Sequence, residues 1–396
     1  MQIIKNKTNI DFIGKRRIAL LLSSLLNLGV LVGIAIFGFN LGVDFAGGTL
    51  VEVKFKEPVS ADAVREAGDK GGLHDLTVQR IGADADASFL LRMGGTTQLT
   101  ADAATKAEGV VKGLGETKFV QKPDLDNGLL NFRMAAPLAP AEDDKAARAK
   151  AKAAIEAVGV GVKDVVRVGE AQGGGIDYQV QFAGMELKIS SVLRQNLPGK
   201  DFEVRRVDYV GPQVGKQLRN KGIMALLWAS LFILIYVAFR FEFKFGPGAL
   251  MAMLHDLVMV AGYFLVSRRE FNLTSIAVLL TVLGYSINDT IVIYDRIREE
   301  MARFKGKPLP EIINIAVNDT LSRTILTSGV TALSLVGLLI FGVGEIFDFA
   351  AAMLIGIIVG TYSSVYIASP LTIWLDERAA AQQSGGNNNK LKAKTA

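Results

Sequence analysis

The chain has 396 residues, half of them hydrophobic, with 44 Lys and Arg against 39 Asp and Glu, two His and no Cys. The cysteine count excludes a disulfide framework, a thiol nucleophile and any Cys-based metal site, and two histidines give no His-rich metal spacing. The net charge of +5 is unevenly placed: residues 41–220 carry 24 basic and 25 acidic side chains and the remainder 20 and 14, so the long polar interval has no nucleic-acid footprint.

In chain order, the first feature is an uncharged apolar stretch at 18–39. Crossing about 30 Å of hydrocarbon at 1.5 Å per residue takes roughly 20 apolar residues, so this stretch is predicted to span a membrane. Its flank (Lys5, Lys7, Lys15, Arg16, Arg17) is basic like that of a signal peptide. The apolar core is too long for one, however, and no small-x-small site follows, the exit being Phe37-Gly38-Phe39-Asn40. The expectation is an uncleaved anchor.

Residues 40–220 read as an α+β domain. Strand-period alternation marks 50–55, a helix follows at 60–72 with Ser60 and Asp62 as cap candidates, and 73–80 with 88–93 reads as a hairpin. The helix-strand-strand pattern returns at 99–134 and again at 141–182, before a last helix (185–195) and strand (202–209). This resembles ferredoxin-like αββ units, and the stretch from about 99 to 182 is expected to be an insertion of an extra αββ unit. The Ala/Lys run at 145–152 reads as a solvated helix face. Gly173-Gly174-Gly175 reads as a turn, since no Gly-Lys-Ser/Thr follows to make a phosphate cradle.

Five more apolar stretches, at 222–239, 248–266, 273–293, 324–341 and 349–375, are joined by short charged loops. They predict a five-helix domain over 221–376 and, with the anchor, six spans. Residues 1–17 would precede the anchor, and 377–396 would be a disordered tail. The positive-inside rule puts both termini in the cytoplasm, together with a basic 295–323 loop and the tail lysines Lys390, Lys392 and Lys394; 40–220 then lies outside. Arg268 and Arg269, in an outer turn, break the rule.

An ionisable group in hydrocarbon costs about 2.5–3.5 kcal/mol or more, so His255-Asp256 in the third span, Asn288-Asp289 in the fourth and Arg323 at the mouth of the fifth call for a reason. Helical rise places Asp256, Asp289 and Arg323 in one cytoplasmic half-layer. An Asp–Arg pair there could exchange partners and take up a proton. The same residues also read as a fixed ion pair pinning helices, with Arg323 snorkelling and His255 packing between helices. Gly29-x-x-x-Gly33 and Gly356-x-x-x-Gly360 have the spacing of helix-packing motifs. No nucleophile elbow or triad is visible, so no enzyme, cofactor or metal is expected.

Several segments together carry a family resemblance. Leu41-Gly42-Val43-Asp44-Phe45-Ala46-Gly47-Gly48-Thr49 follows the first span, and Val210-Gly211-Pro212-Gln213-Val214-Gly215 precedes the second. His255-Asp256, Leu283-Gly284-Tyr285-Ser286-Ile287-Asn288-Asp289 leading into Asp295-Arg296, Arg323-Thr324-Ile325-Leu326-Thr327-Ser328-Gly329 and Leu354-Ile355-Gly356 complete the set. In order and spacing this resembles the SecF side of the SecD/SecF family, bacterial protein-export membrane subunits related to the RND transporters. The resemblance implies one six-helix half of an assembly with SecD in the inner membrane, joined to SecYEG and in places to YajC and YidC. Such an assembly uses the proton-motive force to help draw unfolded preproteins outward. By position, Asp289 and Arg323 match the family's essential acid and arginine, Asp256 matches its third-span acid, and Asn288 adjoins the acid. Asp44, Phe45, Gly47, Gly48, Gly211 and Pro212 fall in the signature turns. An outer domain longer than one ferredoxin-like unit departs from the pattern. A proton-coupled exporter of lipid or small molecules and a translocon scaffold that moves no protons are the competing readings.

Overall fold

The structure, a computed structural model, describes residues 8–82, 86–95, 99–125, 127–138, 144–170, 174–241, 245–378 and 381. Lys5, Lys7, Gly173 and the tail lysines lie outside the described residues. The chain divides into two compact units, Met1–Leu41 with Asn220–Ala396, and Gly42–Arg219.

A 3-10 turn (Ile13–Lys15) opens helix α1 (Arg16–Phe37), on which Ile18, Leu21, Leu25 and Leu28 stand exposed. A helix apolar on its outer face suits hydrocarbon, not water.

The second unit runs α2 (Val43–Ala46), β1 (Gly48–Phe55), α3 (Ala61–Lys70), β2 (Thr77–Ile81), β3 (Ser88–Met93), α4 (Ala101–Gly113), β4 (Thr117–Phe119), β5 (Leu129–Met134), α5 (Asp144–Ala157), β6 (Val162–Glu170), β7 (Ile176–Phe182), α6 (Met185–Asn196) and β8 (Phe202–Val210). Ser60 caps α3, its hydroxyl accepting the Ala63 N–H at 3.2 Å. The strands make two antiparallel sheets, ordered β2-β3-β1-β8 and β4-β5-β7-β6.

The first sheet, with α3 and α6, has the βαββαβ connectivity and strand order of a ferredoxin-like domain. Alternation along β1 turns Val51, Val53 and Phe55 inward, onto Val64 of α3 and Ile189 and Leu193 of α6. The residues between β3 and α6 supply two αββ units, matching the two returns of the helix-strand-strand pattern, so the expected insertion of one extra αββ unit is corrected to two. One unit alone would be a hairpin with a helix and little core; two close into a four-stranded sheet. Val111, Phe132, Ile155, Val165 and Tyr178 fill its separate core. Its order is that of a ferredoxin-like sheet whose first strand has moved to the end of the chain.

The remaining helices are α7 (Pro212–Arg240), α8 (Gly246–Ser267), α9 (Leu273–Arg303), α10 (Leu309–Phe341) and α11 (Glu345–Ser363), the last followed by a π-helical segment, Ser364–Ala368. Among the described residues, six helices are long and apolar enough to cross a membrane: Ile13–Phe37, Pro212–Arg240, Gly246–Ser267, Leu273–Arg303, Leu309–Phe341 and Glu345–Arg378.

The predicted 295–323 loop is corrected. α9 runs on to Arg303 and α10 begins at Leu309, so only 304–308 connects them and Arg323 lies mid-helix, not at a helix mouth. Loss of apolarity ended the predicted span, but the helix continues because its charges find partners. Arg296 reaches Glu300 (2.7 Å) on its own helix and Asp319 (2.6 Å) on α10.

The glycine motifs are used within the bundle. A Cβ on Gly33 would strike Leu265 of α8, while Gly29 faces open space. Gly356 and Gly360 abut Val282 and Ser286 of α9. The rule-breaking arginines are also accounted for. Arg268 donates to the Gly38 carbonyl at 2.9 Å, beyond the end of α1, and Arg269 pairs with Asp348 of α11 at 2.9 Å. One is tied to a carbonyl and the other to a carboxylate.

Candidate functional site

The hydroxyl-bearing segment of α11 packs against α8, α9 and α10 and gathers the buried carboxylates. Asp256 of α8 is fully buried. His255 Nδ1 donates to its Oδ1 at 2.8 Å, and its Oδ2 accepts from Ser363 Oγ of α11 at 2.7 Å and from Ser286 Oγ of α9. Three donors from three helices thus hold one carboxylate, which meets the demand that a buried charge be hydrogen-bonded. On the adjacent residue of α11, Tyr362 Oη meets Ser23 of α1 at 2.9 Å, extending the polar line to the first helix.

Asp289, 7 % exposed, is held differently. Its Oδ2 lies 3.5 Å from Ser328 Oγ of α10 and 3.4 Å from Thr361 Oγ1 of α11, and those two hydroxyls lie 2.9 Å from each other. Two hydroxyls have two protons, and one is used between them. At most one therefore points at Asp289, over a long distance. Asp256 is fully satisfied, whereas Asp289 is poorly satisfied.

The expected Asp289–Arg323 ion pair does not form. Arg323 is exposed and has no salt bridge among the described residues. Asn288 is exposed too, one residue round α9 from Asp289 and pointing out of the bundle. The structure thus brings Asp256, His255 and Asp289 onto one polar seam and leaves Asn288 and Arg323 on the outer surface of the same helix pair. Ser286, Ser328, Thr361 and Ser363 were not foreseen as site residues. In apolar helices Ser and Thr usually bond their own i−4 carbonyl, so their type alone carries no signal. The π-helical segment directly after Ser363 is a second mark of the site, since such segments recur at functional positions.

The signature glycines are structural. Gly47 and Gly48 have φ of 75° and 124°. A Cβ on Gly47 would meet Pro212 Cα at 3.0 Å, and one on Gly48 the Met93 carbonyl oxygen at 2.5 Å. Asp44 and Phe45 lie on α2, Phe45 buried, and Gly215 packs over the Phe45 carbonyl. Gly211 meets nothing. The two turns are pressed together where β1 starts and β8 ends, leaving no room for a side chain at Gly47, Gly48 or Gly215.

Comparison with known proteins agrees with this geometry. A family model described as protein export membrane protein SecD/SecF, C-terminal, matches residues 189–378, and one described as the SecD/SecF GG motif matches residues 32–59. A protein translocase subunit SecF of Magnetococcus marinus is 38% identical over 397 residues, covering 100% of this chain and 99% of the relative. The chain belongs to the SecD/SecF family. A second SecF, from Koribacter versatilis, is 35% identical over 415 residues, with 100% of each chain covered. The long α+β domain, read above as a departure, is therefore shared with SecF relatives of matching length. Among solved structures, SecDF of Thermus thermophilus, titled a translocon-associated membrane protein, has a TM-score of 0.62 at 26% identity, covering 95% of this chain. SecDF in a super-membrane-facing form has a TM-score of 0.57. The chain spans 40% and 41% of those two SecDF chains.

Proposed function

We propose that this chain couples proton movement to protein export, with Asp289 as the group that gains and loses the proton. As a SecF-type multi-pass membrane protein it is an accessory subunit of Sec protein translocation, working together with SecD. In this reading residues 42–219 face outward from the bacterial inner membrane, both termini face the cytoplasm, and the assembly meets SecYEG, YajC and YidC as the preprotein emerges.

The observation that carries the reading is the contrast between the two buried acids. Asp256, with three donors, is anchored and shapes the inner wall of the path. Asp289 has one poorly placed proton to share, and its neighbours Asn288 and Arg323 look outward. A second bundle docked on that surface would enclose all three, making the polar interface between halves that RND-like proteins use. A fixed Asp289–Arg323 ion pair that pins the helices finds no support in the exposed Arg323, while a scaffold that moves no protons is the alternative that the Asp289→Asn variant separates.

The test is Asp289→Asn in inner-membrane vesicles containing the partner subunits. Insertion and abundance should match wild type while the stimulation of preprotein export by the proton-motive force is lost. Reduced abundance with normal export per molecule would instead support a structural role for Asp289.

A further inference from the structure

We propose that the groove at the N-terminal end of α1 binds the headgroup of a membrane phospholipid that carries both a phosphate and a primary amine. The groove, about 620 Å³, is bounded on one side by residues 9–17 and on the other by the first turns of α10. Two cations, Arg16 and Arg17, and two carboxylates, Asp11 and Glu311, line it.

Its walls are already set. Asn314 and Asn318, one turn apart on α10, read the backbone of the preceding segment. Asn318 Oδ1 accepts the Ile10 N–H at 2.9 Å, and its Nδ2 donates to the Ile10 carbonyl at 2.9 Å. Asn314 Oδ1 accepts from the N–H of Phe12 at 3.0 Å and of Ile13 at 3.4 Å, and its Nδ2 donates to the Ile10 carbonyl at 3.1 Å. Asp11 Oδ1 accepts the Gly14 N–H at 2.7 Å, closing the turn. A ligand entering this groove would not have to order the segment first.

Three of the four charges inside are only loosely used. Arg16 lies 3.6 Å from Glu377 and Glu311 lies 3.7 Å from Lys307, both beyond good hydrogen-bond range. Arg17 has no ion pair among the described residues. One turn farther on, α1 exposes Ile18, Leu21 and Leu25, a surface for acyl chains. Paired arginines suit a phosphate, which accepts from guanidinium in two places. Paired carboxylates suit an ammonium that donates hydrogen bonds. A choline headgroup has the positive charge but no N–H, and a glycerol headgroup has no cation. A headgroup of the ethanolamine type satisfies both pairs.

The full chain, purified in detergent, is incubated with phosphatidylethanolamine, phosphatidylcholine and phosphatidylglycerol of identical acyl chains, and adducts are counted by native mass spectrometry. Phosphatidylethanolamine adducts should exceed each of the others by about threefold, the scale of one partly exposed ion pair. Arg17→Gln should lower all three adducts, and Glu311→Gln should bring phosphatidylethanolamine down to the phosphatidylcholine level. Asp11→Asn, which keeps the Gly14 acceptor, gives the same readout if Glu311→Gln does not fold. Equal phosphatidylethanolamine and phosphatidylcholine adducts, or a preference that survives both carboxylate changes, overturns the proposal. Full displacement by soluble phosphoethanolamine also overturns it, because the site would then take a free phosphate compound and not a lipid.

Discussion

Gly356 of α11 and Val282 of α9 touch across a helix interface with no room for one more carbon: a Cβ on the glycine would fall inside the valine side chain. Such spacing is often used between subunits in membranes, but here both partners belong to one chain. Gly356→Leu should therefore cost about 1–3 kcal/mol through overpacking. The cost should appear as a lower melting temperature of the chain purified without any partner, and Val282→Ala should recover part of it. A variant with wild-type melting that only fails to associate with SecD would show that the glycine serves the outer interface.

The two buried acids should separate experimentally. Ser363→Ala removes one of the three donors to Asp256, a bond to a charged group worth about 1.5–3 kcal/mol in soluble proteins and nearer 0.6 where membrane helices have been measured. Asp256→Ala should lower the melting temperature further, because His255, Ser286 and Ser363 all lose their shared partner. Thr361→Ala, by contrast, should lower melting less than Ser363→Ala, since its 3.4 Å contact to Asp289 is long and losing its 2.9 Å bond to Ser328 frees that hydroxyl to donate to Asp289. The two orders of melting temperature, measured side by side in detergent, decide whether Asp256 is the anchor.

These acids also show what sequence could and could not supply. Asp256, Asp289 and Arg323 stood out because a charge in an apolar run is costly and must have a reason. The hydroxyls that distinguish their roles did not stand out, because Ser328, Thr361 and Ser363 are cheap to bury and lie 39 or more residues away from the acids they meet. Hydropathy located the α9 and α10 spans but ended them early, since it cannot see that Arg296 and Asp319 hold the charged turns helical. In the α+β domain, alternation revealed β1 and the αββ repeats. Whether those repeats made one sheet or two depended on long-range pairings such as Phe132 with Tyr178, which leave no local mark.

Orientation can be read with single cysteines, because the chain has none of its own. Val168 on β6 and Lys305 in the α9–α10 turn are both exposed. Val168→Cys should react with a membrane-impermeant maleimide on intact spheroplasts, and Lys305→Cys only after lysis. Reaction of Lys305→Cys in intact spheroplasts, with Val168→Cys protected, would reverse the topology.

The second sheet of the α+β domain should be acid-sensitive in a defined way. Arg133 of β5 grips Asp177 of β7 with two hydrogen bonds, 2.7 and 3.1 Å, and holds its carboxyl below the usual range. A lowered carboxyl contributes stability that is complete above the unfolded value of about 3.9 and is lost as pH falls through the folded one. Protection of the Phe132 and Val180 amides, measured against their intrinsic exchange rates at each pH, should therefore fall below about pH 4 in the wild type. Asp177→Asn should show lower protection near neutral pH and a shallower further fall in acid. Parallel pH profiles for the two proteins would mean that the pair contributes nothing.

The last prediction concerns the surface that α9 and α10 leave open. Gly284 and Asn288 on α9, and Arg323 and Thr327 on α10, are each four residues apart, so each pair shares a helix face, and all four are exposed. On α1 the exposed face is leucine and isoleucine, which needs nothing but lipid. A guanidinium facing lipid would cost at least about 2.5 kcal/mol, so the α9–α10 face requires a polar cover that the α1 face does not. SecD is the proposed cover. Asn288→Cys and Thr327→Cys should then crosslink to SecD in native membranes with a short bifunctional maleimide, while Leu25→Cys on α1 should not. Dimers of this chain with itself at Asn288→Cys would replace SecD by a second copy. Efficient SecD crosslinking from Leu25→Cys, with none from Asn288→Cys, would place the partner on the opposite side of the bundle and leave Asp289 without the enclosed interface that proton uptake requires.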